Sequence, residues 1–458
     1  MPWANNMDTP ILDFVREYSR KTPVRLHMPG HKGTALLGPE PMDITEISGA
    51  DSLYEADGII AKSEANASAL FGCRTVYSTE GSSQCIRAML YLVMLYARRF
   101  GKAPVIAAGR NAHKTFLTGA ALLGLEVRWL YPGKASGYLS CSLSAGELDA
   151  YLTNEAQKPA AVYLTSPDYL GSKADVAGLS AVCHKHGVLL AVDNAHGAYL
   201  KFLEESLHPM DLGADICCDS AHKTLPALTG AAYLHLSDEL DQLLGEQVKN
   251  AMMLFGSTSP SYLILQALDR LNPYLESYPQ RLRAFLAELR KVRDALKGRG
   301  YCLYGDEPLK LTLDAKAYGY TGLQLAQYLR QHNMEPEFAD SDFLVLMLTP
   351  ELPVDALRRL EQVLCALPRR EPVVTAAPKQ LPGEQVMPIR EAMLSASTVL
   401  PLEQCLGRVL AVPTVGCPPA VPILVCGERI TEHALECLSY YGITQCCVVE
   451  NTGKDGAK

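Results

Sequence analysis

The chain has 458 residues, of which 48% are apolar and 20% charged, with 42 Lys and Arg against 50 Asp and Glu and a net charge of −8. At roughly 150 residues per domain this length predicts about three domains, which excludes a small binding module. The acidic balance and the lack of basic runs exclude the charge pattern of a nucleic-acid-binding protein. The N-terminus has no signal-peptide pattern and no apolar run is long enough to span a membrane, so we expect a cytoplasmic enzyme with a small-molecule substrate.

The cysteines and histidines predict neither a disulfide framework nor a metal site. The 14 cysteines lack regular spacing, which is typical of reduced thiols. His27 and His31 have a spacing found among metal ligands, but Pro29 and Gly30 disfavour the helix that would bring both rings to one face. We therefore expect no bound metal.

The first half of the chain alternates helical periodicity with short apolar runs, after an amphipathic segment at residues 11–18. This alternation predicts a mostly parallel sheet that is covered by helices on both faces. The predicted strands are residues 75–77, 104–108, 126–130, 160–164, 188–192 and 214–218. The predicted helices are residues 83–100, 116–123, 145–154 and 176–186.

The second half of the chain predicts two smaller units. Strong helical periodicity at residues 261–299 precedes shorter strand-like and helical stretches. Prolines then cluster between residues 367 and 388, which predicts a linker. The predicted organisation is an N-terminal segment at 1–62, a large domain at 63–270, a small domain at 271–367, a linker at 368–388 and a C-terminal domain at 389–458.

Polar clusters accompany the ends of four predicted strands. Ligands of parallel sheets bind beyond the carboxyl ends of the strands, so these clusters are candidate binding residues. They are residues 78–84, 110–115, 193–198 and 220–224.

Each cluster has a functional and a structural interpretation. Residues 78–84 precede a long helix, where hydroxyl and backbone N–H groups could bind a phosphate or simply cap the helix. Asp193 could hold a positive charge in a dry site or cap a helix. Lys223 could be a nucleophile that has lost proton affinity among apolar neighbours, or a solvated surface lysine. Together the clusters offer a phosphate site, a carboxylate, a histidine to cover a ring and an amine, which are the groups that pyridoxal phosphate requires.

Six motifs occur in order along the chain: HMPGHK at residues 27–32, RNAHK at 110–114, residues 193–198, SAHKTLPALT at 220–229, STSP at 257–260 and a closing motif at 418–428. With these motifs the sequence resembles the pyridoxal-phosphate-dependent Orn/Lys/Arg decarboxylases, and the resemblance covers nearly its whole length. It implies an α/β protein with the PLP-dependent transferase-like fold type I. In that fold a mostly parallel central sheet with flanking helices carries the cofactor, and a small α+β domain and a C-terminal domain complete the chain.

The resemblance also implies roles for individual residues. Lys223 would form the Schiff base with pyridoxal 5'-phosphate, Asp193 would contact the pyridine nitrogen, and His113 would stack on the ring. The other residues that would bind the cofactor are Gly81, Ser82, Ser83, Ala195, His196, Ser220 and His222. Ser257 would reach the phosphate from a neighbouring subunit, because the family builds its sites at a dimer interface.

The implied reaction is decarboxylation of a basic L-amino acid to the corresponding polyamine-type amine and CO₂. Arginine is the favoured substrate, followed by lysine or ornithine, and a homodimer or a dimer of dimers is expected because the chain resembles the short members of the family. Two alternatives stay open: an aminotransferase or other lyase on the same fold, and a protein that binds the cofactor without turnover.

The sequence departs from the family pattern in two places. It has residues 417–422 where relatives often have Tyr-Pro-Pro-Gly-Ile-Pro, and residues 80–82 where relatives have Asn-Gly-Thr. The first departure bears on substrate recognition, since the C-terminal domain helps to shape the pocket mouth in relatives. Near it, Glu428 could attract the distal cation of a substrate, although a plain surface turn is the favoured interpretation.

Overall fold

The structure is a computed structural model that describes residues 7–131, 137–413 and 419–450. Its α-helices are α1 (Pro10–Arg20), α2 (Ile59–Phe71), α3 (Ser82–Arg99), α4 (Lys114–Leu123), α5 (Ala145–Asn154), α6 (Val176–Lys185), α7 (Ala221–Thr224), α8 (Asp238–Met253), α9 (Tyr262–Glu276), α10 (Tyr278–Gly298), α11 (Gly322–Gln331), α12 (Ala356–Ala366), α13 (Ile389–Leu394) and α14 (Glu432–Tyr440). Its strands are β1 (Arg74–Ser78), β2 (Val105–Gly109), β3 (Glu126–Leu130), β4 (Ala161–Thr165), β5 (Leu189–Asp193), β6 (Ile216–Asp219), β7 (Ala232–Leu236), β8 (Cys302–Tyr304), β9 (Lys310–Asp314), β10 (Phe338–Ala339), β11 (Phe343–Met347), β12 (Ser397–Pro401), β13 (Leu410–Val412) and β14 (Gln445–Val449).

The central sheet has seven strands in the order β1-β7-β6-β5-β4-β2-β3. Strands β6, β5, β4, β2 and β3 pair in parallel, whereas β7 runs antiparallel to both β1 and β6. The mostly parallel α/β fold is therefore confirmed. Strand β7 was not predicted, because its apolar residues follow a stretch of small residues and Gly230, and only the four-residue helix α7 lies between β6 and β7.

Helices cover both faces of this sheet, as the alternating pattern predicts. Helices α3, α4 and α8 bury their apolar side chains on one side, and α5 and α6 pack against the opposite side with α2 and α9 nearby. Local signals set the helix starts: Ser144 and Glu147 form a reciprocal capping box at the start of α5. Because the strands are buried on both faces, only their carboxyl ends and the following loops offer polar groups to a ligand.

A second sheet, in the order β10-β11-β9-β8, is fully antiparallel and packs against α10, α11 and α12. Its strand β9 begins at Lys310, whose side chain extends toward the central sheet. The long helix α10 joins the two units. A third sheet, β12-β14-β13, forms with α14 the core of the C-terminal part.

The C-terminal part is anchored to the central sheet by a buried ion pair. The Arg110 guanidinium, just after β2, donates to Glu428 Oε2 at 3.3 Å and to the carbonyl oxygens of Pro422 and Ile423 at 2.9 Å. Both charged side chains are almost fully buried. This anchor holds the segment after residue 419 against the end of the central sheet.

In the described part of the chain no helix is long and apolar enough to cross a membrane.

Candidate active site

A pocket of about 500 Å³ opens at the carboxyl ends of the parallel strands. It brings together residues that are far apart in sequence and follow β1, β2, β5 and β6. Of the residues predicted from the sequence, the ones that line it are Gly81, Ser82, Ser83, His113, Asp193, Ala195, His196, Ser220, His222 and Lys223. All four predicted polar clusters therefore contribute to one cavity.

One wall of the pocket is the N-terminal end of α3. Gly81, which precedes the helix, has a φ of +71°, a left-handed conformation that glycine adopts without strain. The chain then turns so that Ser82 and Ser83 open the helix, and the Ser220 hydroxyl donates to the Ser82 hydroxyl at 2.8 Å. Hydroxyls from two elements, together with the positive end of the α3 dipole, form a site that suits a phosphate group.

His113 occupies the N-cap of α4 and is held in one orientation. The Thr115 backbone N–H donates to His113 Nδ1 at 3.1 Å, and the Thr115 hydroxyl lies 2.9 Å from the same atom. Burial lowers the pKa of His113 to about 4. The ring is therefore neutral at physiological pH, which suits a group that covers the face of another aromatic ring.

Asp193 ends β5 inside the pocket and is almost fully buried. Tyr163 donates its hydroxyl to Asp193 Oδ2 at 3.1 Å, and the Ala195 backbone N–H donates to Oδ1 at 3.2 Å. Burial raises the pKa of the Asp193 carboxyl, and the hydrogen bonds from Ala195 and Tyr163 oppose this rise. A buried carboxylate of this kind is stabilised by a cationic partner, which a protonated ring nitrogen would supply.

Lys223 lies at the floor of the pocket beside His196. Its Nζ atom is 3.0 Å from His196 Nε2, and helix α7 places it directly after strand β6. Lys223 lines the cavity together with Asp193 and His196, and this position favours a role in the site over a solvated surface lysine.

The pocket also contains residues that were not predicted. Thr165 ends β4 and Tyr169 follows it, so the rule that selected the other strand ends would have found them. Glu337 is different, because it precedes β10 in the small antiparallel sheet and reaches the cavity only through packing between the two sheets. Tyr169 donates its hydroxyl to Glu337 Oε1 at 2.7 Å.

Ser257 does not line this pocket. It is exposed, and its backbone N–H donates to Glu80 Oε1 at 3.2 Å. A role in the site of a neighbouring subunit stays a prediction, because that site would be formed by another chain.

Glu428 is not on a surface turn, and that interpretation is wrong. Its side chain is buried, accepts the Val425 backbone N–H at 2.8 Å and pairs with Arg110. The Glu428 carboxylate thus forms an ion pair with a buried arginine, and Glu428 is not among the residues that line the pocket.

The altered closing motif has one structural consequence. Ala420 stands at the position of the glycine in the motif Tyr-Pro-Pro-Gly-Ile-Pro with which the sequence was compared. Its φ of +56° lies in the left-handed region, which costs a residue with a side chain about 1 kcal/mol. The conformation is held because Ala420 accepts a hydrogen bond from the Lys114 backbone N–H at 2.8 Å. Cys417 and Pro418 of the motif lie outside the described residues.

The residues present fit pyridoxal phosphate. The pocket combines the hydroxyl-rich start of α3, a neutral half-buried imidazole, a buried carboxylate that accepts a hydrogen bond from Tyr163, and an amine 3.0 Å from a second histidine. When bound, the cofactor supplies an electron sink for the pair of electrons released at the substrate Cα.

Comparisons with known proteins define the class of enzyme. The model of the Orn/Lys/Arg decarboxylase major domain matches residues 9–302, and the model of the C-terminal domain of the same decarboxylases matches residues 376–449. Arginine decarboxylase of Bacillus subtilis is 28% identical over 93% of this chain and 92% of its own length. The arginine decarboxylase of Halalkalibacterium halodurans is 27% identical, over 93% of this chain and 92% of its own length.

Solved structures agree on the fold. The constitutive lysine decarboxylase of E. coli superposes with a TM-score of 0.74, at 16% identity, over 97% of this chain and 82% of that chain. The lysine decarboxylase of Francisella novicida gives a TM-score of 0.76, at 17% identity, over 99% of this chain and 80% of that chain. The fold is that of the fold type I enzymes, which depend on pyridoxal phosphate.

The chain belongs to the Orn/Lys/Arg decarboxylase family. It is a pyridoxal-phosphate-dependent carboxy-lyase that acts on a basic amino acid.

Proposed function

We propose that the protein decarboxylates L-arginine in preference to lysine and ornithine, releasing the corresponding amine and CO₂. The observation that carries the proposal is an acidic residue in the pocket: Glu337 lines the same cavity as Lys223. The Tyr169 hydroxyl donates a hydrogen bond to one of the two Glu337 carboxylate oxygens at 2.7 Å and so fixes the orientation of the carboxylate. A carboxylate held in this way matches a planar guanidinium, which binds carboxylates through two parallel N–H groups.

Two further observations support this assignment. The relatives named arginine decarboxylase match this chain over more than nine-tenths of its length. The net charge of −8 favours the approach of a cationic amino acid.

Residue roles within the site are part of the proposal. Lys223 binds the cofactor covalently, Asp193 holds its ring nitrogen in the protonated state, and His113 covers the ring. Gly81, Ser82, Ser83, Ser220 and His222 bind the phosphate, and Ala195 and His196 lie against the ring. The distances within the pocket support these roles, because the four clusters converge on a single cavity.

We also propose that the working form is a homodimer, with Ser257 of each chain completing the site of the other. Large apolar side chains are exposed on the N-terminal loop, among them Val24, Leu26, Leu36 and Leu37. Ser257 itself is exposed near the exposed Met253 and Leu254. Sedimentation at several protein concentrations measures the association; a monomer that turns over at full rate would contradict the proposal.

The test of function is a comparison of three substrates. Purified protein with pyridoxal phosphate is incubated separately with arginine, lysine and ornithine, and the amine product and CO₂ are quantified. Arginine is expected to give the highest kcat/KM. Formation of an oxo acid with the pyridoxamine form of the cofactor would identify an aminotransferase, and no product from any of the three would identify a binding protein without turnover.

A further inference from the structure

Lys310 is a buried lysine that stands behind the pocket. It begins strand β9 of the small antiparallel sheet, and its side chain crosses to the central sheet, where Nζ donates to the Asp168 carbonyl oxygen at 2.9 Å. The same Nζ lies 3.1 Å from His196 Nδ1. Only 4% of Lys310 is exposed, so it is shielded from solvent and does not line the cavity itself.

His196 therefore stands between two lysines. Its Nε2 atom faces Lys223 Nζ at 3.0 Å and its Nδ1 atom faces Lys310 Nζ at 3.1 Å. Burial lowers the pKa of His196 well below its usual value, so the ring is neutral. A neutral imidazole has one N–H donor and one bare nitrogen acceptor.

Lys223, His196 and Lys310 form a row in which His196 is central. Because the neutral ring has one donor and one acceptor, only one of the two lysines in the row can be an ammonium ion. The lysine that faces the bare nitrogen donates to it as an ammonium ion, and the lysine that faces the ring N–H must accept through its own lone pair. Two ammonium groups would leave an N–H directed at a cation, which is repulsive at 3 Å.

We propose that Lys310 is a positioning residue that acts through His196 to keep Lys223 as an unprotonated amine. As the ammonium ion, Lys310 donates to His196 Nδ1, which fixes the ring proton on Nε2, and Nε2–H donates to the lone pair of Lys223 Nζ. The inference rests on the proposed role of Lys223 as the residue that bonds to the cofactor, since only an unprotonated amine attacks a carbonyl carbon.

The surroundings of each lysine favour this arrangement. Burial lowers the pKa of Lys310, and the carboxyl groups of Glu307, Asp168 and Glu337 oppose this effect. The Asp168 carbonyl oxygen also accepts a hydrogen bond from Lys310 Nζ. Near Lys223 and His196 are His113, His222 and Asp193; burial lowers the pKa of both histidines and raises the pKa of the Asp193 carboxyl. Acceptors and acidic groups thus concentrate at the Lys310 end of the row.

The row can also carry a proton when Lys223 becomes protonated. The N–H bond at Lys223 breaks as a bond to Nε2 forms, while the Nδ1–H bond breaks as a bond to an unprotonated Lys310 forms. One proton enters and one leaves the ring, so His196 ends neutral in its other tautomer and the positive charge has moved from Lys223 to Lys310. No other reactant is required.

The experiment measures the Lys223 amine directly, in protein stripped of cofactor. The rate at which added pyridoxal phosphate is captured as a borohydride-reducible adduct is followed against pH. In Lys310→Met the positive charge beside His196 is lost, so we expect the profile to move to higher pH by about one unit and the rate near neutrality to fall about tenfold. Lys310→Arg keeps the charge and is expected to stay close to wild type.

A matched control removes a different contact from the same strand. The Thr312 hydroxyl, two residues along β9, donates to the Leu170 carbonyl oxygen at 2.8 Å in the loop that contains Asp168, and it does not touch His196. Thr312→Val is expected to leave the profile unchanged. A profile for Lys310→Met that superimposes on wild type, or an equal shift in Thr312→Val, would overturn the proposal.

A replacement variant and a separate control ensure that the experiment gives a decisive result. If Lys310→Met does not fold, Lys310→Gln replaces it, and the same shift is expected because the charge is again lost; a profile like wild type would overturn the inference. Failure of the underlying assignment has its own signature, since Lys223→Ala would then still form the reducible adduct whatever the Lys310 variants do.

Discussion

Tyr163 on β4 donates its hydroxyl to Asp193 Oδ2 on the neighbouring strand β5, at 3.1 Å in a region that solvent does not reach. The parallel register pairs Thr165 with Asp193, so Tyr163 lies two residues before the carboxylate's partner and on the same side. The hydrogen bond fixes the carboxylate at the strand end, where it faces the pocket. A mutation of Asp193 therefore tests the charge of the carboxylate, and a mutation of Tyr163 tests the hydrogen bond that fixes its position.

Asp193→Asn is expected to lower kcat by roughly two to three orders of magnitude and to weaken cofactor binding, because a preorganised charge partner contributes several kcal/mol. Tyr163→Phe removes one hydrogen bond and keeps the charge, so its cost should be about 1 kcal/mol, or roughly fivefold. Steady-state kinetics and equilibrium dialysis with pyridoxal phosphate measure both effects. Full activity in Asp193→Asn would show that the carboxylate has another function.

Glu337→Gln tests substrate recognition. It keeps the size of the side chain and removes the charge, so KM for arginine should rise at least tenfold while kcat changes little, since a charge-assisted hydrogen bond contributes about 1.5–3 kcal/mol. Glu335→Gln is the matched control: this neighbouring carboxylate pairs with Arg330 at the exposed surface, at 2.8 Å. Equal KM values in the two variants would remove Glu337 from the proposed binding site.

Glu428→Gln tests the anchor between the central sheet and the C-terminal part. It leaves the Arg110 guanidinium buried without a counter-charge, so the free energy of unfolding should fall by about 3–5 kcal/mol. Glu288→Gln breaks the exposed pair with Lys291 and should change stability by less than about 0.5 kcal/mol. Urea denaturation of the three proteins makes the comparison, and equal midpoints would show that the buried pair is not the anchor.

Many residues of the pocket could be predicted because the sequence next to them identifies them. Asp193 and Lys223 each follow an apolar strand, and the carboxyl ends of parallel strands share one edge of the sheet. No neighbouring sequence pattern identifies Glu337 and Lys310, because they belong to the small antiparallel sheet and reach the site only through packing between the two sheets. Glu428 was misjudged for the same reason, because its partner Arg110 is 318 residues away.

Asp269 offers a pH test that is independent of the active site. Its carboxylate accepts the backbone N–H groups of Ile11 and Leu12 at 3.0 and 2.9 Å and so caps α1, but burial raises its pKa to about 6. A raised pKa means that the folded protein binds the proton more tightly than the unfolded chain. The stability of wild type relative to Asp269→Asn should therefore fall as pH rises from about 4 to about 6, by at most about 1.4 kcal/mol per pH unit.

Chemical denaturation of both proteins at a series of pH values measures this difference. A gap that stays constant between these pH values would contradict the raised pKa of Asp269.

The central claim is that Lys223 is the residue that bonds covalently to the cofactor. The direct measurement is reduction of the holoenzyme with borohydride, proteolysis, and identification of the labelled lysine by mass spectrometry. The account predicts a single labelled lysine, Lys223, and loss of the label and of the visible cofactor absorbance in Lys223→Ala. A label on Lys310 or Lys114, or an undiminished label in Lys223→Ala, would contradict it.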